Sequence, residues 1–177
     1  MRLFTKALCC LMLMAMVFSF ASAEEEGVFV PTYNTFMNRL CELAPDGYGD
    51  VIRVGLLKDG EWKEGYMSRY DLIGKNIFQI VRSVDNGFVS SFEVTISQDA
   101  YTTHRLVYDQ MITAVMKAIR SDFSEDDVSA MKDTLLIETI TETPVNYMYQ
   151  STNEGVYRYG FLKRNGEYTF SIEFALQ

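Results

Sequence analysis

The chain has 177 residues, with 24 Asp and Glu against 16 Lys and Arg, a formal charge of −8, three cysteines and one histidine. With so few cations and no basic block, it is poorly equipped for nucleic acid or anionic lipid, since phosphate contact needs clustered cations. A single histidine also speaks against a catalytic zinc centre, which is usually built on two or three imidazoles.

In chain order, Arg2 and Lys6 precede an apolar run from Leu8 to Phe20, and Ala21-Ser22-Ala23 follows it. Basic, apolar, then small-x-small is the pattern of a cleaved export signal over residues 1–23. The run is shorter than the ~20 residues a spanning helix needs. Cys9 and Cys10 precede most of it, which argues against lipid attachment there. Cleavage after Ala23 leaves 154 residues, in which 14 Lys and Arg face 24 Asp and Glu, a charge of −10. The expected product is secreted or periplasmic, with no membrane anchor. Only Cys41 remains in it, so no internal disulfide is expected and stability must come from packing. A chain of ~150 residues can bury one good core, and residues 24–177 read as one α+β domain with a frayed start over 24–30.

Thr32 is the expected N-cap of a first helix. Tyr33, Phe36, Met37, Leu40 and Ala44 recur at helical spacing, and Pro45-Asp46-Gly47 stops the pattern. Strands are expected over 51–57 and 61–69 around Asp59-Gly60, and over 76–84 and 88–96 around Asn86-Gly87. A second helix is expected over 102–120, with Tyr108, Ile112, Val115 and Ile119 inward, and a third over 125–137, with Val128, Met131 and Leu135 inward. Three further strands are expected over 145–152, 156–163 and 167–176, the last two joined at Asn165-Gly166. The expected architecture is α+β, an antiparallel sheet or sheets of about seven strands on about three helices, in the order α-β-β-β-β-α-α-β-β-β.

Register sorts the many tyrosines. A two-residue loop at Asn165-Gly166 places Phe161 opposite Phe170, Tyr159 opposite Ile172 and Tyr157 opposite Phe174. Arg158 then faces Glu173 on the other side of the sheet. One face is apolar and the other polar, so the Tyr157 and Tyr159 stripe reads as core, with its hydroxyls reaching the core's edge. The same reasoning at Asn86-Gly87 pairs Val81 with Phe92 and Ile77 with Ile96, and leaves Phe78 and Ile80 beside Glu93 and Thr95. Tyr147 and Tyr149 stay open, because a two- or three-residue turn over Asn153-Glu154-Gly155 flips them across the sheet. The candidates for an exposed aromatic binding patch are Trp62, Tyr66, Tyr147 and Tyr149.

Residues 122–133 admit two readings. Asp122, Ser124, Asp126 and Asp133 fall near the ligand positions of a calcium loop, but Asp127 stands where a glycine is needed and Asp133 where a Glu is needed. Alternatively, Ser124 opens a capping box and three acids meet the positive end of a helix, which uses every residue. His104 reads as a partly exposed surface residue. Cys41 lies beside the apolar stripe of the first helix as a buried thiol, and nothing local joins the two as a nucleophile and base. Glu61, Glu64 and Glu93 could share a sheet face, but spacing alone does not make a glycosidase pair. No cofactor is implied; the glycines at 55, 60 and 65 do not form a phosphate loop.

The export signal, the short helix YNTFMNRL, and LVYDQMITAVMKAI followed by SEDDVSAMK and aromatic hairpins resemble small exported α+β domains of bacteria in the order of their elements. The helix-helix-meander half is similar in architecture to the repeat unit of the β-lactamase-inhibitor-like fold. Neither resemblance carries catalytic residues. The expectation is an exported non-enzymatic binding or interaction domain for a protein, peptide or envelope component. The alternatives are an extracytoplasmic hydrolase and a weak calcium-dependent module.

Overall fold

The computed structural model describes residues 30–53, 56–60, 62, 68–71, 77–85 and 87–175. The expected export signal, Tyr66, Glu61 and Glu64 lie outside the described residues. Helix α1, Tyr33–Leu43, starts where its cap predicts: the Thr35 amide donates to Thr32 Oγ1 at 3.2 Å. Its stripe of Tyr33, Phe36, Met37, Leu40 and Cys41 is buried.

The strand expected over 51–57 begins instead as a helix, and its residues 54 and 55 lie outside the described residues. Gly47 takes φ 85 and opens a short helix α2, Tyr48–Ile52. A Cβ on Gly49 would lie 2.6 Å from the Cys41 carbonyl oxygen, so α2 folds back against α1 at a distance only glycine tolerates. The β-branched Val51 and Ile52 suggested an extended run; this backbone crossing overrides their propensity. At Asp59-Gly60 a bridge joins Leu56 to Trp62 and Gly60 has the expected positive φ of 85; most of the strand expected over 61–69 lies outside the described residues.

One antiparallel sheet follows. Its strands are β1 Ser68–Asp71, β2 Ile77–Asp85, β3 Phe88–Ser97, β4 Tyr147–Glu154, β5 Tyr157–Arg164 and β6 Glu167–Phe174, in the spatial order β1-β2-β3-β6-β5-β4. Between β3 and β4 lie three helices, α3 Gln98–Ile119, α4 Glu125–Thr134 and α5 Ile137–Glu142. The expectation of about seven strands on about three helices is therefore corrected: the described residues form an α+β fold of six strands and five helices.

The β2–β3 register also differs from expectation. Asp85–Phe88 and Val84–Val89 pair as a two-residue loop requires, but Ser83 then meets Ser91, so Ser90 is an inserted residue. Beyond this bulge Val81 pairs with Glu93 and Ile80 with Val94, one step from the expected pairs. The shift explains why odd Val89 and even Phe92, Val94 and Ile96 are all buried.

At the other end the expected register holds. Asn165 and Gly166 take φ 52 and 78, both positive as the expected turn demands, and Phe161–Phe170, Tyr159–Ile172, Tyr157–Phe174 and Arg158–Glu173 are paired. Phe170 and Ile172 are buried, Phe174 packs partly against the core, and Arg158 donates to Glu173 on the opposite face.

Helices cover that inner face. Phe36 of α1 packs edge-on against Phe92, Tyr101 of α3 against Tyr168, and Phe123 stacks on Tyr159. Tyr108 of α3 reaches into the β3–β6 ladder. Its hydroxyl accepts the Phe170 amide at 3.1 Å and lies 3.0 Å from the Val94 carbonyl and 3.2 Å from that of Tyr168. Lys163 is 3 % exposed; its ammonium donates to the Thr143 carbonyl at the end of α5, while the Tyr168 hydroxyl donates to Thr141. A cation there meets the negative end of the helix.

The second helix starts earlier than expected, at Gln98, because Ser97 accepts the Ala100 amide as its cap, and it is kinked at His104 (φ −120, ψ 22). The third ends at Thr134 rather than 137. Leu136 takes the left-handed conformation (φ 52) and turns outward, which lets Leu135 and Ile137 both enter the core.

Candidate functional site

The two sides of the sheet are built differently. Helices cover the inner side. The outer side presents Ser91, Glu93 and Thr95 of β3, then Thr169, Ser171 and Glu173 of β6, then Arg158, Gly160 and Leu162 of β5. Thr95 and Thr169 share a hydrogen bond of 2.9 Å across this face.

The last strand completes it. The turn before β5 is Gly155-Val156, one residue later than either expected turn, and Gly155 supplies φ 58 at its first position. Tyr149 consequently pairs with Leu162 and Tyr147 with Arg164, which puts both tyrosines on the outer side. Tyr147 is 65 % exposed and Tyr149 46 %. The Tyr149 ring leans over Gly160: a Cβ there would meet Ser171 Oγ at 2.8 Å, the Tyr149 hydroxyl at 3.0 Å and its Cε2 at 3.1 Å. Glycine at 160 is thus the seat of this ring. Its signal in the sequence is a glycine at an outward position between the inward Tyr159 and Phe161.

The ion pair with Glu173 raises the Arg158 guanidinium above its ordinary value, with a smaller contribution from Tyr149. The surface therefore offers two exposed rings, a row of small hydroxyls, the Arg158–Glu173 ion pair and the carboxylate of Glu93. It can stack and hydrogen-bond.

The remaining sequence candidates fare differently. Trp62 is buried at 5 % exposure, a correction to its place among exposed aromatics. Its indole N–H donates to Asn38 and its amide accepts no role in the sheet, donating instead to Asn34, each at 3.1 Å. Those two asparagines stand on the polar side of α1, and they hold Trp62 down over it. Cys41 is buried in the core. The Tyr157 and Tyr159 hydroxyls do not reach the edge of the core; both are buried without a hydrogen-bond partner among the described residues.

Residues 122–133 are built as a helix start. Ser124 Oγ accepts the Asp127 amide at 3.2 Å, and the Asp127 carboxylate accepts the Ser124 amide at 2.8 Å, a complete capping box. The Ser124 hydroxyl, which lies 2.7 Å from that carboxylate, and then the Ser124 amide hold Asp127 below its ordinary carboxylate range. Asp122 is engaged by Arg120 through two bonds of 2.9 and 2.8 Å, which lower its pKa in the same way. Ser124 and Asp122 thus serve as cap and ion-pair partner, while Asp126 lies in the first turn of α4 and Asp133 near its end. Among the described residues no group of three or more His, Cys, Asp or Glu is gathered as a metal site.

A concave feature lies among the helices. A cleft of about 470 Å³ runs between the end of α1 and the α3–α4 seam, lined by Leu43, Pro45, Thr113 and two ion pairs. Lys132 donates to Asp109 at 2.6 Å and to Thr113 at 2.9 Å, and Lys117 donates to Glu125. Each cation is already matched to a carboxylate, so a charged ligand entering there would have to break a pair.

No family model matches the chain, and no curated protein or solved structure gives a significant match. Among the described residues no helix is long and apolar enough to cross a membrane.

Proposed function

We propose that the protein is an exported, non-enzymatic binding domain that holds a protein, peptide or envelope component on the outer face of its sheet. One observation carries this reading: Tyr147 and Tyr149 stand exposed on the face that no helix among the described residues covers, and Tyr149 is seated over a glycine rather than left to wander. A ring held in place loses little side-chain freedom on contact, and tyrosines are favoured contact residues for that reason. The basic, apolar and small-residue pattern of residues 1–23 supports the export half of the reading.

The test is capture from the envelope and culture fluid of the host, with the parent protein and the Tyr147→Ala/Tyr149→Ala variant compared in parallel. The parent should retain a component that the variant loses, while both unfold at nearly the same temperature, because neither ring is in the core. Gly160→Ala should weaken capture as well, since its methyl displaces the Tyr149 ring. Equal capture by parent and double variant would remove the outer face as the site.

A further inference from the structure

The sheet has two edges, and they are unlike. Strand β1 has four residues, two of them charged, Arg69 and Asp71. Strand β4 has eight residues, pairs with β5 without a bulge, and carries one charge, Glu154, at its end. It has no Lys, no Pro and no bulge, which are the usual devices that keep an edge from pairing.

Hairpin geometry shows what this edge offers. In a two-residue loop the flanking residues, here Glu154 and Tyr157, exchange both backbone hydrogen bonds. Alternation then turns the amides and carbonyls of Met148, Gln150 and Thr152 toward β5. Those of Tyr147, Tyr149, Ser151 and Asn153 point away from it, along the open edge.

We infer that β4 pairs antiparallel with β4 of a second copy, about a two-fold axis through Gln150, to give a continuous twelve-stranded sheet. Outward groups must meet outward groups, so residues pair in steps of two. In the register that sets Gln150 against Gln150, Tyr147 meets Asn153 and Tyr149 meets Ser151, and all four outward residues of each copy are satisfied. A shift by one step either way leaves one of them unmatched on each copy.

Charge favours the same register. The protein is strongly acidic, so two copies repel unless their contact is neutral. Here Glu154, the only charge of the strand, falls opposite Asn146 and not opposite another acid. Each large ring faces a small polar side chain, as Tyr149 already does over Gly160. The axis stands normal to the sheet, so both helical layers lie on one side and the two Tyr147/Tyr149 pairs come together on the other. The pairing goes beyond the proposed binding role and does not depend on it: a monomer with a working outer face is a distinct outcome.

Sedimentation equilibrium and directed cross-linking of the purified protein test this. The parent should show a reversible monomer–dimer equilibrium. Gln150→Cys should form an intermolecular disulfide under mild oxidation, because that position meets itself across the axis, and Thr152→Cys should not, because it meets Met148. Both variants carry Cys9→Ser and Cys10→Ser, so that the buried Cys41 is the one native thiol, and the parent with the same two changes gives the background. Ser151→Pro removes an outward amide from each copy without touching the β5 ladder, and should weaken the dimer by about tenfold or more. A parent that stays monomeric to millimolar concentration, or cross-linking as fast at 152 as at 150, would overturn the pairing.

Discussion

Five tyrosines lie on three neighbouring strands, and the two faces of the sheet use them in opposite ways. Tyr157, Tyr159 and Tyr168 point inward and are buried, while Tyr147 and Tyr149 point outward and are exposed. Residue type cannot account for the difference. Parity does, counted from two tight turns: Asn165-Gly166 sets β5 against β6, and Gly155-Val156 sets β4 against β5. The lesson is that an aromatic-rich meander is neither core nor platform by composition; one residue more or less in a turn exchanges the two.

The contrast is broken most severely by truncating one side of it. Phe170→Ala leaves a cavity under α3, beside the Tyr108 hydroxyl that takes the Phe170 amide, and should cost about 3–5 kcal/mol. Thr169→Ala, its neighbour on the outer face, removes only the hydroxyl pair with Thr95 and should cost about 1 kcal/mol or less. Urea unfolding of both variants measures the difference. Equal losses would mean that the outer face is as closely packed as the inner.

How much of this can be read in the residues depends on how far each contact reaches along the chain. The β5–β6 register was legible because Asn165-Gly166 allows one tight turn and every later pair follows from it. Thr32 and Ser124 were legible as caps because a cap acts within three residues. The bulge at Ser90 was not legible, since a strand gives no local sign that one residue will be skipped. Nor was the burial of Trp62, which rests on Asn34 and Asn38, 28 and 24 positions away. The strand expected over 51–57 failed for the same reason: the contact between Cys41 and Gly49 that makes it a helix lies outside the run itself. In the candidate site, Tyr147 and Tyr149 were legible as aromatics of undecided face. Gly160 beneath them acquires meaning only when β4 is laid beside β5.

A smaller effect asks how firmly the inner side is covered. The capping box anchors α4, which lays Val128 and Met131 on the core. Ser124→Ala should cost about 1 kcal/mol near neutral pH. Asp127 gives that loss a pH dependence of known sign. Its pKa is lowered on folding, so its contribution is complete above the ordinary value of 3.8 and disappears as pH falls through the lower folded value. Asp122 with Arg120 and Glu125 with Lys117 shift in the same direction and should lose stability over the same acid range. The gap between parent and Ser124→Ala should therefore narrow as the solution is taken below pH 3.8, to what the Asp127 amide bond to Ser124 Oγ contributes, read by urea unfolding at several acid pH values. A gap that stays constant would mean that the bond between the Ser124 hydroxyl and the Asp127 carboxylate adds nothing to the cap.

The smallest effect is the sharpest, because it separates the tyrosines by their hydroxyls alone. Tyr168 and Tyr108 have partners for theirs, while Tyr157 and Tyr159 have none among the described residues. Burying an unmatched hydroxyl gains nothing and forfeits its hydration. Tyr159→Phe should therefore leave stability unchanged or raise it by up to ~1 kcal/mol, with the ring and its stacking on Phe123 retained. Burial also pushes the Tyr159 phenol well above its ordinary value of 10.0, and that of Tyr157 to about 12. A phenol so raised keeps its proton in the folded protein but gives it up in the unfolded chain, so the parent loses stability as pH rises above 10.0 toward the folded values. Replacing Tyr159 removes one such group, and the variant should lose less over that alkaline interval. A variant that is weaker than the parent at neutral pH would show that the hydroxyl has a bonding partner in solution, a buried water being the one small enough to reach it.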